Sequence, residues 1–174
     1  METKTLNPDK TIASLIHLST FSKYFFPFGN FIAPLILWTV KKEDPFVNEH
    51  GRQALNFQIS IFLYFIFLMC IGISGILILG MELTSGELFV FTNNFMDIGN
   101  TVHAIPLFIF IGVIGLLLLG LFFLDIISVI NATIKASEGH LYKYPITINF
   151  INTTSVGHHQ SKNEQFNNIQ NQTL

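Results

Sequence analysis

The sequence predicts an all-α integral membrane protein: a four-helix bundle with two short N-terminal helices in a hairpin and two long transmembrane helices. Three observations carry this expectation. Only 11% of the 174 residues are charged and 50% are hydrophobic, whereas a soluble domain carries about 25% charge. Residues 59 to 81 hold no charged side chain, and neither do residues 98 to 124. A helix needs about 20 apolar residues to cross a bilayer core, so both runs suffice. Third, the polar segments between apolar runs differ sharply in charge. Two such helices buried inside a soluble protein would need a large polar shell, which so short a chain lacks.

Composition also excludes. A net charge of −2 and the lack of a basic patch argue against nucleic acid as a partner. The single cysteine, Cys70, lies mid-run and reads as a small apolar residue. Lys4 and Lys10 resemble the start of a secretion signal, but the stretch after them is broken by Ser14, His17, Ser19, Thr20 and Lys23 and shows no cleavage site. It is expected to stay in the chain.

Three regions follow: a polar N-terminus over 1–9, a membrane domain over 10–151 with helices at about 10–26, 31–41, 48–80 and 102–137, and a disordered polar tail over 152–174. Asp9 is placed to cap the first helix. Ile12, Leu15, Ile16, Leu18, Phe21 and Phe25 recur at helical spacing, with Ser14, His17 and Thr20 off that stripe. Its Leu, Ile and Phe side chains favour insertion by roughly 2–4 kcal/mol. The histidine and hydroxyls offset most of that, so the helix needs neighbours. Pro27-Phe28-Gly29-Asn30 reads as a turn, and Asn30 is a suitable cap for a second helix from Phe31, with Pro34 near its first turn. That helix is about 16 Å long, roughly half a bilayer core. Two short spans, a hairpin that dips in and returns, and one kinked span over 24–40 all fit.

The third helix starts near Val47 or Asn48. Glu49, Gln53, Asn56 and Ser60 share one of its faces and carry a polar stripe towards the apolar run. Gly72 and Gly75 permit close approach of another backbone, and Gly112 and Gly115 mirror them on the fourth helix. Between the long helices, the loop at 82–102 holds Glu82, Glu87 and Asp97 and no lysine or arginine. Leu88–Phe91 and Phe95-Met96 are expected to rest on the membrane interface. Asp125, Ser128, Asn131 and Lys135 form a second polar stripe beyond the fourth apolar run. Gly139 is a C-terminal cap, Tyr142 and Tyr144 read as interfacial anchors, and alternation over Ile146–Phe150 suggests a strand or extended segment.

Charge clusters most densely over residues 41 to 52, which hold six of the twenty charged side chains. Basic residues favour the cytoplasmic side. Lys4, Lys10, Lys41, Lys42, Arg52, Lys135 and Lys143 fall on one side if four helices span or the first two form a hairpin. Both termini are then cytoplasmic, in a cell (inner or plasma) membrane.

A family resemblance rests on His17, on Pro27, Gly29, Asn30, Pro34, Leu35, Trp38, Lys41 and Lys42, and on Pro45, Phe46, Val47, Glu49, His50, Gly51, Ala54, Asn56, Phe57 and Gln58. The ending Gly139, Tyr142, Tyr144 and Pro145 adds to it. Over residues 8 to 151 the chain resembles a bacterial membrane family of unknown function grouped with the Tic-type chloroplast import component. The resemblance implies four membrane helices and a link to translocation, and it brings no catalytic residue.

Candidate chemistry is sparse. Glu49-His50 evokes a zincin helix, but that pattern needs a second histidine at position 54, where Ala54 stands. His17, His50 and His140 each lie near a helix end and can converge on a metal. The plainer alternative has Glu49 and His50 capping the third helix against head groups. Asp125, at the end of a long apolar helix, is costly unless paired or at an interface. The candidate site is therefore a polar layer at the cytoplasmic face made of Glu49, His50, Arg52, Asn56, Asp125, Asn131 and Lys135, with Asp125 and Asn131 opposite Arg52 and Asn56. No cofactor, metal or enzymatic activity is expected. The partners expected are the lipid bilayer and a membrane protein or a second copy. The functional expectation is a structural or interaction component of the membrane. The alternative is a channel-like or translocation-linked subunit.

Overall fold

The computed structural model describes residues 9–85 and 98–152. These residues form four α-helices: α1 (Lys10–Ser19), α2 (Gly29–Val40), α3 (Pro45–Ser85) and α4 (Ile98–Glu138), with a 3₁₀ turn at Thr20–Tyr24 after α1. Among the described residues there is no strand.

Asp9 caps α1, its carboxylate accepting from the Ile12 N–H at 3.1 Å. The helix tightens into the 3₁₀ turn earlier than its spacing suggests. The hydroxyls of Ser19, Thr20 and Ser22 each donate to a carbonyl three residues back, which satisfies them locally and tightens the backbone. The turn then places Phe28 at φ 61°, and α2 starts at Gly29. A Cβ on Gly29 would lie 2.6 Å from the Ser22 carbonyl, so only glycine lets α2 pack on the turn. Asn30 is not the cap. Its amide donates to Gln58 Oε1 at 3.0 Å.

Helix α3 starts at Pro45, ahead of the expected Val47. The Asp44 carboxylate accepts from the Phe46 and Val47 N–H groups at 2.8 and 3.4 Å, and from the Asp9 N–H at 3.0 Å. Burial pushes the Asp44 carboxyl up, but these N–H groups and Lys41 outweigh it and hold it below its ordinary value. Proline in the first turn loses no hydrogen bond. At its far end α3 runs through Gly80 to Ser85, and α4 begins at Ile98. The expected 82–102 loop is shorter because Met81, Glu82 and Leu83 are good helix formers and no proline stops them. Leu88–Phe91, Phe95-Met96 and the tail from residue 153 lie outside the described residues.

Helix α1 packs on α4, α3 and α2, and α2 on α3. Two core clusters result. Ile16, Val47 and Ala54 are covered by Ile12, Leu37 and Trp38. Phe57, Val129, Ala132 and Tyr144 are covered by Phe21, Ile61, Leu124 and Tyr142. Both clusters sit at one end of the long helices. Further along, α3 and α4 pack on each other and many of their apolar side chains are exposed: Phe67 is 64% and Leu116 69% exposed. Both helices are long and apolar enough to cross a membrane, and they are not buried like the core helices of a soluble protein. At 41 residues each they extend about 61 Å, twice a bilayer core.

Gly139, at φ 90°, ends α4, with the His140 N–H donating back to Lys135 O at 2.8 Å. The chain then runs back along α3, turning at Pro145-Ile146, where Ile146 takes φ 48°. Tyr64 donates to Ile146 O at 3.0 Å, Ile148 N–H donates to Ser60 Oγ at 2.8 Å, and Asn56 exchanges two bonds with the Ile151 backbone at 2.8 and 3.1 Å. The polar stripe on α3 thus pairs a backbone that has no strand partner. Tyr144 is not an interfacial anchor: it is buried, its ring stacked on Phe57 at 4.1 Å.

Candidate functional site

Two polar networks cross the packed end of the molecule. In the first, Asp125 on α4 pairs with Lys23 from the 3₁₀ turn and accepts from Gln58 Nε2 on α3 at 3.0 Å. Gln58 Oε1 in turn accepts from Asn30 on α2. One buried carboxylate therefore connects the turn after α1 with all three remaining helices. No buried side-chain nitrogen or oxygen of these four residues is left without a partner, as a buried group of this cost requires.

The second network is a chain of three rings. Tyr144 OH lies 2.8 Å from His17 Nδ1, and His17 Nε2 lies 2.7 Å from His50 Nδ1. All three residues are buried. A nitrogen-to-nitrogen bond needs one ring to donate and the other to accept, so the protons run in one direction along the chain. Either direction leaves His50 Nε2 at the end, buried and without a partner, with Phe46 in edge contact at 4.4 Å. Burial raises the Tyr144 hydroxyl well above its ordinary value, with Asp125 and Tyr142 adding to the effect, so it stays a neutral link.

The expected polar-layer residues divide between these networks and the rim. His50 joins the ring chain and Asp125 the first network. Asp125 does not face Arg52, which pairs with Glu49 one turn back on its own helix. Asn56 holds Ile151. Asn131 is exposed, and Lys135 is exposed and bound to Glu138 at 2.9 Å. Sequence reasoning missed Lys23 and Gln58. In the sequence Lys23 stands out only as a break in an apolar stretch, though a lysine there is as costly in a bilayer as Asp125 and needs the opposite charge. His17 and His50 meet, but among the described residues no group of three His, Cys, Asp or Glu side chains is placed to hold a metal.

A model of the magnetosome magnetite crystal formation protein family matches residues 8–151. The chain belongs to this MamF/MmsF family. The match overturns the resemblance to the Tic-type import component and leaves the translocation-linked alternative without support. The residues that carried the resemblance are, in this MamF/MmsF chain, largely those that place its helices. Gly29 packs on Ser22, Gly51 lies under the Trp38 ring, and Asn56 and Tyr144 fasten the last segment. Such residues report an architecture rather than a task. No curated protein and no solved structure matches the chain. The family and the two long apolar helices make it a membrane protein.

Proposed function

We propose that this protein is a non-catalytic structural component of the membrane around a growing magnetite crystal. Its family is described by magnetite crystal formation, and the proposal takes that task over to this chain. The observation that carries the non-catalytic, non-conducting part is the partnering of the polar groups around Asp125. Asp125, Lys23, Gln58 and Asn30 satisfy one another, while the apolar runs of α3 and α4 present no polar path. Deleting the gene from a magnetite-forming host is expected to alter crystal size or shape in electron micrographs, with recovery on re-supply. Unchanged crystals would reject the role, and steady current through purified protein in planar bilayers would reject the non-conducting reading.

The same proposal places α1 and α2 as a hairpin that enters and leaves one leaflet, in a bundle with both termini cytoplasmic. Asp9 at the start of α1 bonds Asp44 at the start of α3, and Lys10 reaches the Glu138 carbonyl at the end of α4. Helix α2 has 12 residues, about 18 Å, too short to cross a core of about 30 Å. Between the two helices Phe25 and Phe28 are 88% and 60% exposed, suited to lipid. A membrane-impermeant thiol reagent, in a Cys70→Ser background, should label Lys42→Cys from the cytoplasmic side only and Phe28→Cys from neither side.

A further inference from the structure

Between α3 and the segment after α4 lies a cavity of about 330 Å³, whose lining includes Glu49, Arg52, Gln53, Lys143, Asn149 and Asn152. Its size falls at the small end of the range for ligand sites. Three features specify what it takes. Lys143 is exposed and has no ion-pair or hydrogen-bond partner among the described residues. With Arg52 it supplies a cationic wall. Glu49 lies opposite in sign, both its oxygens engaged by Arg52 and Gln53.

Gln53 is the informative residue. Its Nε2 donates to Glu49 at 2.8 Å, which fixes the orientation of the amide. Oε1 is then an acceptor, and it is buried with no partner. A buried acceptor without a donor is costly, and a ligand carrying an N–H group removes that cost. The lining thus calls for a ligand that carries both an anionic group and a hydrogen-bond donor. We propose that the cavity binds a phosphoethanolamine group, the phosphate on Lys143 and Arg52 and the primary ammonium on Gln53 and Glu49. Ile146, Ile148 and Phe150, which alternate with the lining residues Thr147 and Asn149 on the same segment, are apolar and about half exposed, which suits the acyl chains of a lipid that carries this head group. The site stands whether or not the chain acts on magnetite.

Calorimetric titration of the full-length protein in detergent tests this with dihexanoyl phosphatidylethanolamine, dihexanoyl phosphatidylcholine and free phosphoethanolamine. The phosphatidylcholine head group carries no N–H donor. The ethanolamine lipid is expected to bind about tenfold tighter than the choline lipid, the scale of one buried acceptor satisfied. Gln53→Met should abolish that difference. Lys143→Gln, at an exposed side chain that holds nothing in the fold, should weaken both lipids alike and serves if Gln53→Met does not fold. Free phosphoethanolamine binding as tightly as the lipid supports the site and assigns it a soluble ligand; binding of the lipid alone supports it and assigns the bilayer. Equal affinity for the two lipids, or no binding of either, overturns it.

Discussion

Asp125 shows how far single residues could be read. Its position at the end of an apolar run announced that it needs a partner, but not which one. Arg52 was the nearest cation by helix register, and the structure gives it Glu49 instead. Lys23 comes from a distant part of the chain, and nothing local marks a contact across that separation. Lys23→Met and Asp125→Asn should each cost about 3 kcal/mol, as removal of one partner from a buried pair does. The double change should cost less than the sum, read by unfolding in mixed micelles. Reversing Arg52 and Asp125 together should restore nothing; recovery would return Arg52 to the pair. Asp44 offers a pH test. Its folded-state pKa lies below the unfolded value, so its ionised form stabilises the protein above the ordinary carboxylate range. That contribution is lost as pH falls through the folded value. The gap in melting temperature between wild type and Asp44→Asn should be constant from pH 7 to 5 and close below about pH 4.

At the scale of elements, the long helices were legible because lack of charge and apolar length are one-dimensional properties. Which face of a helix meets another is not. The glycine pairs illustrate this. Both pairs have the same spacing, yet only those of α3 lie against α4: a Cβ on Gly72 would approach Ile114 at 3.3 Å, and one on Gly75 would meet the Phe110 ring. Gly112 and Gly115 have nothing within 4 Å. Gly75→Leu should therefore lower stability by about 2 kcal/mol, the scale of overpacking, while Gly112→Leu should change it by less than about 0.5 kcal/mol. Thermal melting of the two variants checks the pair. The alternation over Ile146–Phe150 shows the same limit. The segment forms no strand: Pro145-Ile146 is a turn, with Ile146 at φ 48°, and the hydrogen-bond partners of this backbone are the side chains of Asn56, Ser60 and Tyr64 on a helix, a pairing that no period reveals.

Across the whole molecule, a packed end with two polar networks continues into a pair of outward-facing apolar helices. The polar stripes on α1, α3 and α4 were visible in the sequence as faces, and the structure turns part of each inwards: His17, Asn56 and Asp125 are buried. The last segment completes that interior. Ending the chain at Gly139 would strip partners from His17, Asn56, Ser60 and Tyr64, at about 1–3 kcal/mol for each buried orphan. Such a truncation should reduce the yield of folded protein from membranes and lower its melting temperature; an unchanged melt would show that the segment is dispensable.

Tyr144 and Ile151 are translated well over a hundred residues after the N-terminal helix that Tyr144 contacts. A nascent chain that has already delivered all four helices to the insertion machinery still lacks the ring that closes onto His17 and the backbone that Asn56 grips. Folding therefore finishes after helix insertion, and chains stalled before Tyr144 present unpaired polar groups to the proteases that police the membrane.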